Sequence, residues 1–177
     1  NWAADFAKGQ LTPLNFRSPL HCAKLSTDGL LYVCDRGNNR IQVFRASEVG
    51  RPCANPNKEI DKCGFVGEIH VAPQTSAGTS GQVNFSTDAG QSCLYITDLT
   101  NDAMYVVNRA NNHEVSRFGT GGRQAGSFHW PHVVGVDSQG NLYTGEVDGN
   151  GRAQKFLRYG AAGCSGTGVP DVGRYTN

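Results

Sequence analysis

The chain has no run of 18 apolar residues, so nothing in it reads as a membrane-spanning helix. It has no Cys-X-X-Cys pair, which removes the usual zinc-finger spacing. It has almost no excess charge of either sign. A net charge of +1 over 177 residues supplies no field that would draw it to nucleic acid or to an anionic membrane. Stretches of helical period are missing, as are a nucleophile elbow and any locally supported Ser-His-Asp set. The glycine-rich stretch 119–128 precedes no helix, so it reads as a linker and not as a phosphate loop. The sequence begins without an initiator methionine or a signal-like apolar segment. The N-terminus is therefore expected to be processed, or the chain to be a piece of something longer.

What is present fits many short strands. Glycine numbers 23, Asn, Asp and Ser are frequent, and 38% of residues are hydrophobic. That is enough apolar material for one domain with a core. There are six cysteines. Cys53 and Cys63 lie in a polar, proline-containing insertion, where a disulfide would staple a loop that cannot hold itself by burial. Cys22 and Cys34 flank the turn Thr27-Asp28-Gly29 and face each other across a simple hairpin. They read either as a cross-strand disulfide or as two buried thiols. No partner for Cys93 or Cys164 is legible. The balance favours a secreted or periplasmic protein.

A repeat organises the sequence. "LYVCDRGNNRIQVF", "LYITDLTNDAMYVV" and "LYTGEVDGNGRAQKF" align on Leu-Tyr and bring Asp35, Asp98 and Glu146 into register. Each acid is followed by a polar turn and another alternating strand, and preceded by a strand across a Ser/Thr/Asp/Gly turn. Fourth strands are expected near 66–72 and 113–119. Units of four short antiparallel strands predict an all-β fold, a β-propeller with three visible blades. The divisions are an N-terminal segment (1–13), a blade (14–73) with an insertion (46–66), a middle blade (74–122), a last blade (123–160) and a polar tail (161–177). The tail either adds a closing strand or lies on the surface. The three acids are expected to be structural, accepting backbone N–H bonds from the following turn.

"DGLLYVCDRGNNRIQVF" and "SFHWPHVVGVDSQGNLYTGEVDGNGRAQKF" resemble NHL repeats. The resemblance covers about 14–160 and implies a six-bladed ring of which this chain looks like the C-terminal half. The missing blades would come from the rest of the chain or from a second copy. His21 precedes Asp35 by 14 residues, and His132 precedes Glu146 by 14. Both therefore open the innermost strand of their blades, while Gly81 falls at that place in the middle blade. On alternate blades of a six-bladed ring such positions sit about 120° apart around the channel. With a third histidine from the missing half they would form a three-imidazole zinc site. The alternative is two channel-lining histidines bonded to water or backbone.

The pattern is similar to one NHL enzyme family, the peptidyl-hydroxyglycine amidating lyases. That resemblance implies channel zinc held by histidines in Pro-His contexts, which "WPHVV" matches at His132 and "SPLHC" matches less closely at His21. It also implies a catalytic arginine at Arg36, able to grip a substrate carboxylate. The family's calcium-linked aspartate is replaced by Val133, which leaves calcium without its ligand. The main functional expectation is an extracytoplasmic binding or scaffold propeller with a metal site in its channel, taking a peptide or protein at the face or channel mouth. The alternative is a zinc-dependent lyase. Nucleic acid is not expected as a partner. Trp130 is expected to pack at the channel entrance.

Overall fold

The computed structural model describes residues 16–51, 64–148, 151–160 and 163–164, together with the backbone of 171–175. Among the described residues twelve strands form three four-stranded antiparallel sheets, each in simple sequence order. The first blade holds β1 (Leu20–Leu25), β2 (Leu30–Asp35), β3 (Arg40–Arg45) and β4 (Phe65–His70). The second holds β5 (Ser80–Phe85), β6 (Cys93–Asp98), β7 (Ala103–Asn108) and β8 (His113–Phe118). The third holds β9 (Pro131–Val136), β10 (Leu142–Glu146), β11 (Ala153–Tyr159) and β12 (Asp171–Tyr175). Residues 171–175 of the C-terminal segment thus close the third sheet against β11. A short 3-10 turn, Arg36–Asn38, joins β2 to β3.

The strands follow from strict alternation. In the second strand of each blade, Leu31, Leu94 and Leu142 point to one face, and Tyr32, Tyr95 and Tyr143 point to the other. One apolar cluster joins blades one and two, with Tyr32, Ile41 and Val43 against Val83, Phe85 and Ile96. A second joins blades two and three, with Tyr95, Met104 and Val106 against Val134, Leu142 and Phe156. Tyr32 and Tyr95 are buried because a blade follows theirs. Tyr143 is 41% exposed because none follows it among the described residues. At the other end, the leading face of blade one carries a groove of about 400 Å³ lined by Phe16, Leu20, Leu31, Val33 and Phe44. Tight turns need left-handed backbone at Gly29 (φ 82°) and Gly140 (φ 85°), where glycine avoids the Cβ penalty.

Cys22 and Cys34 are bonded (S–S 2.06 Å) and paired in the β1–β2 register. Cys93 and Cys164 are bonded as well, a link the sequence gives no means of choosing. Cys53 and Cys63 lie outside the described residues, as do most of the insertion and the whole N-terminal segment 1–13. Two disulfides accord with a compartment outside the reducing cytosol. Among the described residues no helix is long and apolar enough to cross a membrane.

The three acids are structural in two different ways. Asp98 takes backbone N–H bonds from Thr100 and Asn101, as the sequence predicts. Asp35 instead collects Arg40 Nε (2.8 Å), Asn38 Nδ2 and Gln42 Nε2. Glu146 collects Arg152 and Gln154. The cause is the next strand, which offers an Arg-X-Gln triplet in blades one and three but Ala103-Met104-Tyr105 in blade two.

Blades one and two are also clamped at the end opposite the acids, between the β1–β2 turn and the residue after β7. Arg109 donates to both Asp28 oxygens (2.5 and 2.6 Å) and to the Tyr32 hydroxyl (2.8 Å). Burial pushes the Asp28 carboxyl up, but the Ser26 and Arg109 bonds and the Arg109 charge outweigh it and hold it below its ordinary value. Arg109→Ala should therefore cost about 1 kcal/mol at neutral pH. A depressed carboxyl stabilises above its unfolded pKa of about 3.9 and loses that contribution as pH falls through the folded value. The gap in thermal unfolding between the variant and the parent should thus narrow below about pH 4 to the share that the Tyr32 bond contributes. A constant gap across the whole pH range would disprove the ion pair's share.

Candidate functional site in the channel

The inner strands β1, β5 and β9 carry His21, Gly81 and His132. Leu20 pairs with Asp35, Ser80 with Asp98, and Pro131 with Glu146. The following residue in each inner strand is the one in question. The register slips by one directly after each of these pairs. In blades one and three the extra residue is the histidine itself: Leu20–Cys22 spans what Asp35–Cys34 spans, and Pro131–Val133 spans what Glu146–Gly145 spans. A bulge of this kind bends the strand and re-aims one side chain.

The bulges aim the two histidines at each other. His21 Nε2 and His132 Nε2 lie 3.0 Å apart, with ring centroids at 4.4 Å and planes inclined by 63°. His21 Nδ1 lies 2.5 Å from the Gly81 carbonyl oxygen. A carbonyl only accepts, so Nδ1 carries a proton, and in the neutral ring Nε2 of His21 then presents a lone pair toward His132. Burial holds the His132 imidazole below its usual pKa, and the His21 ring and the Arg36 charge add to the effect. It is therefore neutral at pH 7, the form in which an imidazole binds metal.

Arg36 stands at the same end of the channel. Its guanidinium carbon lies 5.9 Å from the Trp130 ring centroid, and its Nε is buried with no hydrogen-bond partner among the described residues. Trp130 is 47% exposed. It holds a left-handed backbone (φ 55°), which is costly for a bulky residue. Its N–H donates to Asp102 (2.8 Å). The Arg36–Trp130 contact was not legible in the sequence.

Other histidines take local roles. His70 is largely buried beside Glu68 (2.9 Å) instead of exposed as its outer-strand place suggests. His113 is exposed at the start of β8. His129 lies 3.3 Å from Asp148.

The residues present suit zinc better than calcium. Zinc–nitrogen bonds of about 2.0–2.1 Å at a tetrahedral angle separate two ligand nitrogens by about 3.3 Å, slightly more than the pair now spans. Calcium asks for an oxygen cage, and Val133 offers none. Among the described residues no group of three His, Cys, Asp or Glu side chains converges.

Residues 20–44 match the family model of the NHL repeat. No curated protein sequence matches the chain. Among solved structures, a candidate 6-phosphogluconolactonase from Bacteroides fragilis is similar (TM-score 0.56, 17% identity) over 80% of this chain and 35% of its own. A catalytically inactive histidine-to-alanine variant of virginiamycin B lyase from Staphylococcus aureus, with quinupristin, is similar (TM-score 0.50, 14% identity) over 83% of this chain and 43% of its own. The chain thus spans less than half the length of these structures. At such identities they establish the architecture, three consecutive blades of a β-propeller, with an NHL repeat in the first.

Proposed function

We propose that the chain forms part of an extracytoplasmic NHL propeller that acts as a binding module, with a zinc ion held in its channel by His21 and His132. The carrying observation is the approach of two Nε2 atoms to 3.0 Å from alternate blades, each on a bulge. The remaining ligands come from blades beyond these three, in the rest of the chain or in a second copy. A metal there supplies Lewis-acid polarisation of a bound oxygen. The partner is a peptide or protein at the channel mouth, where Arg36 and Trp130 stand. The near-neutral charge argues against nucleic acid.

Zinc titration of chelator-stripped protein tests this. His21→Ala and His132→Ala should each weaken zinc by more than about 100-fold, beyond what loss of an outer-shell partner costs. Unchanged zinc content in both variants would sink the metal reading.

A second reading, a lyase resembling the peptidyl-hydroxyglycine amidating lyases, is favoured by Arg36, whose buried Nε has no hydrogen-bond partner among the described residues and whose charge bears on His132. Incubation with a peptidyl α-hydroxyglycine should then release glyoxylate, and Arg36→Lys should slow it at least about 10-fold by losing the forked contact. No glyoxylate from the zinc-loaded protein leaves the binding module as the function.

A further inference from the structure

The middle blade breaks the histidine pattern with Gly81, and the break has a structural cause. Gly81 needs no left-handed backbone, so space alone decides whether a side chain fits. There is none: a Cβ would sit 2.0 Å from Leu99 Cδ1 and 2.8 Å from Thr97 Oγ1. Both neighbours are fully buried. Thr97 Oγ1 accepts the N–H of Gln82 (2.8 Å), which fixes the strand immediately after Gly81. The strand is thereby drawn close enough for the Gly81 carbonyl to meet His21 Nδ1.

We infer that Gly81 is the positioning residue of the histidine pair: its carbonyl holds His21 in the Nδ1–H tautomer and turns Nε2 toward His132. Metal-binding histidines use a backbone carbonyl in this outer-shell role. An unconstrained imidazole has no such partner to select its tautomer. The middle blade therefore contributes an acceptor where its neighbours contribute a ring. A bulky residue at position 81 would push the strand off Leu99 and carry the carbonyl away from His21. The consequence for metal binding rests on the zinc reading above, whereas the tautomer itself does not.

The test is long-range ¹H–¹⁵N correlation on metal-free, chelator-treated protein labelled with ¹⁵N-histidine at pH 8, with His21 assigned by loss of its signals in His21→Gln. The parent protein should show His21 protonated on Nδ1. Gly81→Ala should move the proton to Nε2 and weaken zinc by about 10–100-fold. Leu99→Ala, which loosens the same packing but keeps the glycine, should retain the Nδ1–H form. A parent spectrum with the proton on Nε2 overturns the inference without any variant. So does a folded Gly81→Ala protein that keeps the Nδ1–H form, or a Leu99→Ala protein that loses it as fully as Gly81→Ala. An Nδ1–H parent that binds no zinc leaves Gly81 as the positioning residue and removes the metal reading alone.

Discussion

Replacing Cys93 and Cys164 together by alanine is expected to lower the unfolding free energy by about 4 kcal/mol. The bond spans a sequence separation of 71, so it confines a large part of the unfolded chain: the rest of the middle blade and most of the last. Cys93 opens β6 inside the cluster of Tyr95, Met104 and Phe156, and Cys164 joins that cluster from beyond β11. Alanine keeps the site small and apolar. The bonds that seat Cys164, its N–H to Ser92 Oγ (2.8 Å) and its carbonyl accepting from Asn108 (3.2 Å), involve no sulfur. The loss should thus fall mainly on the constraint. Cys22–Cys34 closes a separation of only 12, and the same relation gives it about 3 kcal/mol or less. Urea unfolding of the two double variants, read by circular dichroism, checks the ranking. A Cys93/Cys164 variant that loses under about 1 kcal/mol would contradict it.

Asp35→Ala should cost about 3–5 kcal/mol, the range for breaking a buried ion pair from one side. Asp35 is fully buried and Arg40 is 1% exposed. The carboxylate gathers Arg40, Asn38, Gln42 and the backbone N–H of Arg17 (2.9 Å). Glu68 also pairs with Arg40 (2.8 Å), which keeps the loss near the lower end. Asp98 supplies the contrast, since among the described residues its side-chain hydrogen bonds come from Thr100 and Asn101 and not from an arginine. Burial pushes its carboxyl up, against the bonds from Asn101 and the Thr100 N–H. A carboxyl that holds its proton more tightly when folded loses stability as pH rises from about 4. Asp98→Asn removes that penalty and should cost under about 1 kcal/mol at pH 7. An Asp35→Ala variant that loses under about 1 kcal/mol in urea unfolding would contradict the cost of the buried pair.

The blades were legible because period-2 alternation and the recurring Leu-Tyr and acid positions are local signals, within one hairpin of each other. Cys22–Cys34 could be posed as a pairing for the same reason, since the turn at Asp28 sets its register. Cys93–Cys164 could not, because the partner lies in the next blade's trailing segment and only the stacking of blades brings it near. His21 and His132 could be matched by counting to the acid. Their contact could not, because it depends on a one-residue slip in each β-ladder that composition does not reveal. The division of the acids depended on residues five to eight positions away: Arg40 and Gln42 on one strand, Ala103 and Tyr105 on its counterpart.

The Cys93–Cys164 bond joins the middle blade to the chain beyond β11, and so encloses everything between them in one covalent circuit. A protease that cuts the exposed turn at Ser138-Gln139 opens the backbone without releasing a fragment. On a denaturing gel the cut protein should run as one band until reductant is added, and then as two. The strands β9 to β11 are in that sense fastened at both ends, so a single backbone cut between the two cysteines cannot by itself set them free.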